Sequence, residues 1–177
     1  KDVGGFESLA ALRDRVRTDM QADADEHARQ HVRGDLLKQL AERVTFELPT
    51  SLVEREIDRR VEEFARRLMD QQIDPRKSNV DWAEFREAQR EPARTAVASA
   101  LALDAIAKRE QLTVTDDDVT QELERFAERM GRTAAALRAQ LDKEGGLGRL
   151  TASLRREKAI DLAMSRAKMT PESPSSR

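Results

Sequence analysis

From Ser8 to about Val44 the chain carries one continuous helical pattern. Leu9, Leu12, Val16 and Met20 step by three and four, the spacing of a single helix face. The stripe thins through Ala24, Ala28 and Val32, then returns at Leu36, Leu37 and Leu40. At ~1.5 Å of rise per residue this helix would be over about 50 Å long. No single compact core can cover such a helix along its length, so the chain must fold into something extended. Its chemistry agrees. Charged residues make up 37% of the 177, against about 25% in typical domains. Aromatic side chains are Trp82 and five Phe, without Tyr, so large core-filling groups are scarce. The mean hydropathy of −0.73 points to well-solvated helices.

The later segments read as helices with local stops. Val44–Leu48 alternates as a short extended link, and Pro49 suits a first helical position, with Ser51 and Glu54 as a competing capping box. The helix to about Gln72 shows Val53, Ile57, Val61, Phe64 and Leu68 on one face. Residues 73–80 read as a loop, Asp81 with Glu84 as a capping box, and Pro92 as a break or a restart after Arg90. Ala93–Ala107 is apolar on nearly every side, the pattern of a buried helix at the centre of the fold. Leu112–Val114 is a second extended link. Thr115 and the acidic run Asp116–Asp118 then open a helix that stops at Gly131, because carboxylates complement the free N–H groups there. Thr133 caps a helix to about Glu144, Gly145-Gly146 breaks it, and a last helix runs from Leu147 to Lys168. The Pro- and Ser-rich stretch 171–177 reads as a disordered tail. The link pattern recurs loosely at Met169–Glu172, suggesting helical hairpins on a common spine.

Several function classes find no support in the residues. Acidic and basic groups are interleaved at a net charge of −2, which argues against a nucleic-acid partner. The absence of cysteine removes thiol chemistry, disulfides and cysteine-based metal sites. No apolar run reaches the ~20 residues of a membrane span, and no signal peptide is visible at the start. His27 and His31 are one helical turn apart, but the residues between them lack a general-base Glu and no further ligand completes a metal site. Gly145-Gly146-Leu147-Gly148 lacks the Lys-Ser/Thr ending of a phosphate loop. No catalytic set emerges, and no cofactor or metal is expected.

Apolar stripes at helical spacing usually form core. Thin hairpins, however, cannot bury every apolar residue, and exposed apolar patches mark interaction surfaces. Flexible Met side chains such as Met69, Met130 and Met164 suit a surface that accepts many partners.

Several segments carry a resemblance to a known family. They are Gly5-Phe6-Glu7-Ser8-Leu9 leading into Leu12-Arg13-Asp14-Arg15-Val16, Val44–Pro49 followed by Leu52–Asp58, the Ala/Leu-rich stretch Val97–Ile106 with Ala107–Leu112, the acidic restart Thr115–Val119, and Ala167–Thr170. In order and spacing these resemble the C-terminal domain of trigger factor, a ribosome-associated bacterial chaperone, over about residues 6–170. The resemblance implies an all-α fold: an elongated multi-helix body with two protruding helical arms. Residues 1–47 would form the spine, 48–111 one arm and 112–170 the other. It implies binding of unfolded or nascent polypeptides without ATP, through dispersed apolar patches, in the cytoplasm. Candidate client-facing residues are Val53, Phe64, Met69, Phe85, Phe126, Met130 and Leu137, each with core packing as the competing role. The family's ribosome-docking loop and its FKBP-like prolyl isomerase domain have no counterpart in these residues. Ribosome contact is therefore expected only through another domain, and no catalysis from this segment. A weak homodimer is a further expectation. Two other readings compete: the helical domain of a parvulin-type periplasmic folding factor, and a helical scaffold or oligomerisation module, which would need sustained heptads.

Overall fold

The computed structural model describes Phe6 and residues 8–168. The expected tail and the third link lie outside the described residues. Among the described residues there are seven helices: α1 Leu9–Glu42, α2 Thr50–Asp70, α3 Trp82–Ala88, α4 Arg90–Arg109, α5 Asp116–Met130, α6 Ala134–Lys143 and α7 Leu147–Arg166.

Local chemistry sets most boundaries. The Ser8 hydroxyl accepts from the Ala11 N–H at 3.1 Å and starts α1. Asp81 Oδ1 accepts from the Ala83 and Glu84 N–H groups at 3.0 and 2.9 Å and starts α3. Thr115 and Asp118 form a reciprocal capping box on α5. Gly131, at φ 62°, ends α5 in the left-handed conformation that glycine adopts without strain. Two expectations shift. Pro49 is the residue before α2 rather than its first, and Ser51 is not a cap: the Pro49 carbonyl receives the Leu52 and Val53 N–H groups. Of the two roles open to Pro92, break or restart, the second holds. Pro92 lies in the first turn of α4, where its missing N–H costs no hydrogen bond.

α4 is the hub. It packs against α1, α2, α3 and α7. It is nevertheless not buried all round: Ala93, Val97, Leu103 and Ala107 are inside, while Arg94, Thr95 and Ala105 face solvent. α2 and α3 touch α4 and each other; α5 and α6 touch α7 and each other. Among the described residues neither pair touches the other pair or α1. Thus α4 and α7, expected within the two arms, both pack into the body with the C-terminal third of α1.

Burial follows this layout in three small clusters. Val53 and Ile57 of α2 meet Ala93 and Val97 of α4. Leu103 and Ala107 of α4 meet Ala159 and Ile160 of α7, closed by Leu36, Leu37 and Leu40 of α1. Val119, Leu123 and Ala127 of α5 meet Leu137 of α6. Polar contacts brace the same seams. Arg156 donates two 2.8 Å hydrogen bonds to the Asp104 carboxylate, and Arg33 pairs with Glu157 at 2.6 Å. The 20.0 kDa chain exposes 14026 Å², against about 8,700 Å² for a compact monomer of that mass. The expected elongation is therefore present, and much helical surface stays in water.

Candidate interaction surfaces

Two helical lobes project from the body, and they treat their large apolar residues differently. In the α2–α3 lobe Phe64 and Phe85 stack with ring centroids 4.5 Å apart. Trp82 meets both edge-on, at 5.9 and 6.3 Å. These rings are half-buried against one another. Charges seal the base of the lobe. Glu54 accepts from Arg86 at 2.7 Å and Arg90 at 3.0 Å, which holds its carboxyl below the usual range. Val53 is only 5% exposed beneath α4.

In the α5–α6 lobe Leu123 and Ala127 turn inward, while Phe126 and Met130 stay outside at 36% and 62% exposure. Helix α6 crosses below them, and α7 closes the far side. Between the three helices runs a groove of about 470 Å³. Leu123, Leu137, Leu141 and Leu150 form its floor, and Phe126 and Met130 its lip. Arg132, Gln140, Arg149 and Ser153 complete the lining. The Arg129 guanidinium sits 4.8 Å from the centre of the Phe126 ring, so the ring is held without being covered. Gly146 sits at the groove's inner end, where any side chain would push the tip of Leu141 aside. A Cβ there would lie 2.7 Å from Leu141 Cδ2, inside van der Waals contact.

The sequence candidates thus separate. Phe126, Met130 and Leu137 converge on one groove, with Leu137 as a buried floor residue rather than an exposed one. Phe64 and Phe85 pack into the aromatic cluster, and Val53 into the first core cluster. A neighbouring helix lies against each of these three, and Val53 alone of them is buried. Met69 is 57% exposed at the end of α2, away from the groove.

Leu123, Leu141 and Leu150 were absent from the candidates. Their signal was the three- and four-residue spacing of Val119-Leu123-Phe126-Met130, Leu137-Leu141 and Leu147-Leu150-Leu154. A second surface was also missed. Leu12, Val16 and Met20 line an open apolar strip along the N-terminal half of α1, flanked by Arg13 and Arg17. His27 and His31 are exposed on the same helix, and His31 Nδ1 lies 3.3 Å from Asp35. Among the described residues no group of three potential metal ligands comes together. No helix described is long and apolar enough to cross a membrane.

The family described as bacterial trigger factor protein (TF) C-terminus matches residues 8–165. The chain belongs to the trigger factor family. It is 37% identical over 169 residues to trigger factor of Anaeromyxobacter sp. (strain Fw109-5), covering 96% of this chain and 39% of that one. It is 31% identical over 173 residues to trigger factor of Solibacter usitatus, covering 98% and 41%. The chain therefore spans about two fifths of the length of these trigger factors. A solved structure of trigger factor domains from Thermotoga maritima shares the fold, with a TM-score of 0.59 at 18% identity, over 78% of this chain and 83% of that one. This membership sets the parvulin-type reading behind the trigger factor reading.

Proposed function

We propose that this domain holds unfolded or nascent polypeptides, as an ATP-independent chaperone, by docking their apolar side chains on separated surface patches. The observation that carries the reading is the α5–α7 groove. It is open and floored by leucine, and Met130 and Phe126 on its lip stay in contact with water. A fold that needed those side chains for stability would cover them, since burial of each is worth about 1.5–3 kcal/mol. Left open, that free energy is available to another chain. Met130 can re-pack around different partners without strain.

The α1 strip offers a second, distant patch with the same chemistry. Each patch alone would bind weakly, because no deep pocket encloses a ligand. Two weak contacts on one scaffold combine through effective concentration, so a long unfolded client is retained better than a short peptide. A folded client offers no extended apolar segment and leaves. In this reading the α2–α3 and α5–α6 lobes serve as the two arms of a cradle, the body being α1, α4 and α7. Ribosome contact and prolyl isomerisation would reside in other parts of a longer protein, acting in the cytoplasm.

The test is suppression of light scattering from an aggregating client at equimolar chain. Suppression is expected, with about half lost in a Phe126→Asp/Met130→Asp double variant whose far-UV CD is unchanged. No suppression by the unmodified chain would remove the proposal.

A further inference from the structure

The chain has no cysteine, so its most readily oxidised side chains are its five methionines. Their placement is uneven. Among the described residues Met20 is 67% exposed, Met130 62% and Met69 57%. Met164 instead packs against the cluster of Leu103, Ala107, Ala159 and Ile160, where α4 meets α7. Two of the exposed thioethers stand on the open apolar surfaces. Met130 lines the α5–α7 groove with Leu123, Phe126 and Leu137. Met20 lines the α1 strip with Leu12 and Val16. Met69, near the end of α2, lines neither.

An exposed thioether reacts faster than a packed one, because a peroxide must reach the sulfur. The sulfur lone pair attacks one peroxide oxygen. An S–O bond forms and the O–O bond breaks. Sulfur gives up two electrons, the peroxide takes them, and with hydrogen peroxide the second oxygen leaves as water. A flexible apolar side chain has then become a polar sulfoxide. For the fold this changes little at positions 20 and 130, since both side chains already stand mostly in water. For a docked client it changes much. The new S–O group would have to shed its water beneath an apolar side chain that offers it no hydrogen bond.

We propose, on the holding reading above, that Met20 and Met130 are modification sites at which peroxide oxidation to the sulfoxide lowers client binding while the fold stays intact. The surface that holds is then also the surface that senses oxidant. Met164 is the contrast. It is partly buried in the seam of the body, so it reacts slowly, and its oxidation would loosen the α4–α7 packing instead of a surface patch. Reversal requires a sulfoxide reductase, which draws two electrons from a dithiol and releases the oxygen as water. The chain itself supplies no thiol for this step.

Graded hydrogen peroxide treatment of the whole chain tests this, with peptide mass spectrometry, far-UV CD and client light scattering read on the same samples. Sulfoxide should appear at Met20, Met69 and Met130 severalfold sooner than at Met164. Once Met20 and Met130 are converted, suppression of scattering should fall by about half with the CD unchanged. A sulfoxide reductase supplied with a dithiol should restore it. A Met20→Leu/Met130→Leu variant, compared with its own untreated holding, should lose nothing to the same dose. An equal loss in that variant would put the sensitive group elsewhere and overturn the proposal. Full suppression by chain oxidised at both positions would overturn it too, and leave the holding reading intact. Sulfoxide first at Met164, or loss of CD in step with loss of holding, would likewise overturn it. Untreated chain that suppresses no scattering would remove the holding reading itself, and this inference with it.

Discussion

The α2–α3 and α5–α6 lobes begin from similar material and treat their phenylalanines differently, while Met69 and Met130 at the helix ends are both exposed. Each starts with an amphipathic helix carrying buried branched aliphatics, then a Phe and a Met toward its C-terminal end. In the first lobe the returning helix α3 presents Trp82 and Phe85, large enough to reach Phe64 and enclose it. In the second the returning helix α6 begins Ala134-Ala135-Ala136 and offers only Leu137 and Leu141 as large apolar groups. Alanine cannot reach Phe126 or Met130, so they remain at the surface. Whether an apolar stripe becomes core or binding surface is decided by the bulk of the side chains that fold back over it.

The sharpest break of this comparison lies beneath both lobes, where they should behave alike. Ile57 and Leu123 are 0% and 2% exposed. Ile57→Ala and Leu123→Ala should each cost about 3 kcal/mol in urea unfolding, from lost burial plus a cavity. A cost under about 1 kcal/mol for either would mean its cluster is not the core of its lobe.

The lobes should part company one layer out. Phe85→Ala removes a stacked, half-buried ring and should cost about 2 kcal/mol, with client holding unchanged. Phe126→Ala should cost less than about 1 kcal/mol and still reduce holding, because its ring contributes little to the fold. Paired urea titrations and scattering assays on the two variants decide this. The reverse pattern would exchange the roles assigned to the two lobes.

Much of the architecture was legible because helix boundaries are local events. Ser8, Asp81, Thr115 and Thr133 cap where short polar side chains precede apolar stripes, and Gly131 stops a helix by its own backbone freedom. The groove was legible only in part. Phe126, Met130 and Leu137 follow from spacing on single helices. Val53 and Phe64 share a stripe with nothing to mark them as covered. Their cover comes from Ala93 and Val97, some forty residues on, and from Trp82 and Phe85. Such packing is a property of the returning element, so no reading of the stripe itself reveals it. The position of α7 in the body was hidden for the same reason, whereas the apolar stretch Ala93–Ala107 already marked α4 as central.

Smaller effects sharpen the picture at the seams. Asp104→Ala removes the two-pronged contact with Arg156 that ties α4 to α7. Because both groups are partly exposed, the loss should be about 1 kcal/mol in urea unfolding. The smallest effect concerns acid. The Lys158 ammonium, with the Thr115 N–H and hydroxyl, holds the Asp118 carboxyl down to about 2, from an ordinary 3.8. A group depressed on folding contributes stability that is full above its unfolded value and is lost as pH falls through its folded value. The melting midpoint should therefore drop between pH 3.8 and about 2, and drop less steeply in Asp118→Asn. Parallel midpoint curves for the two proteins would show that Asp118 does not anchor the second lobe.

The most direct test places a photo-crosslinking residue at position 130, 126 or 85 and irradiates each variant with an unfolded client. Adducts should form at 130 and 126, on the open lip, and be near background at 85, inside the aromatic cluster. Adducts strongest at 85, or equal at all three positions, would contradict the claim that the second lobe is the one that holds.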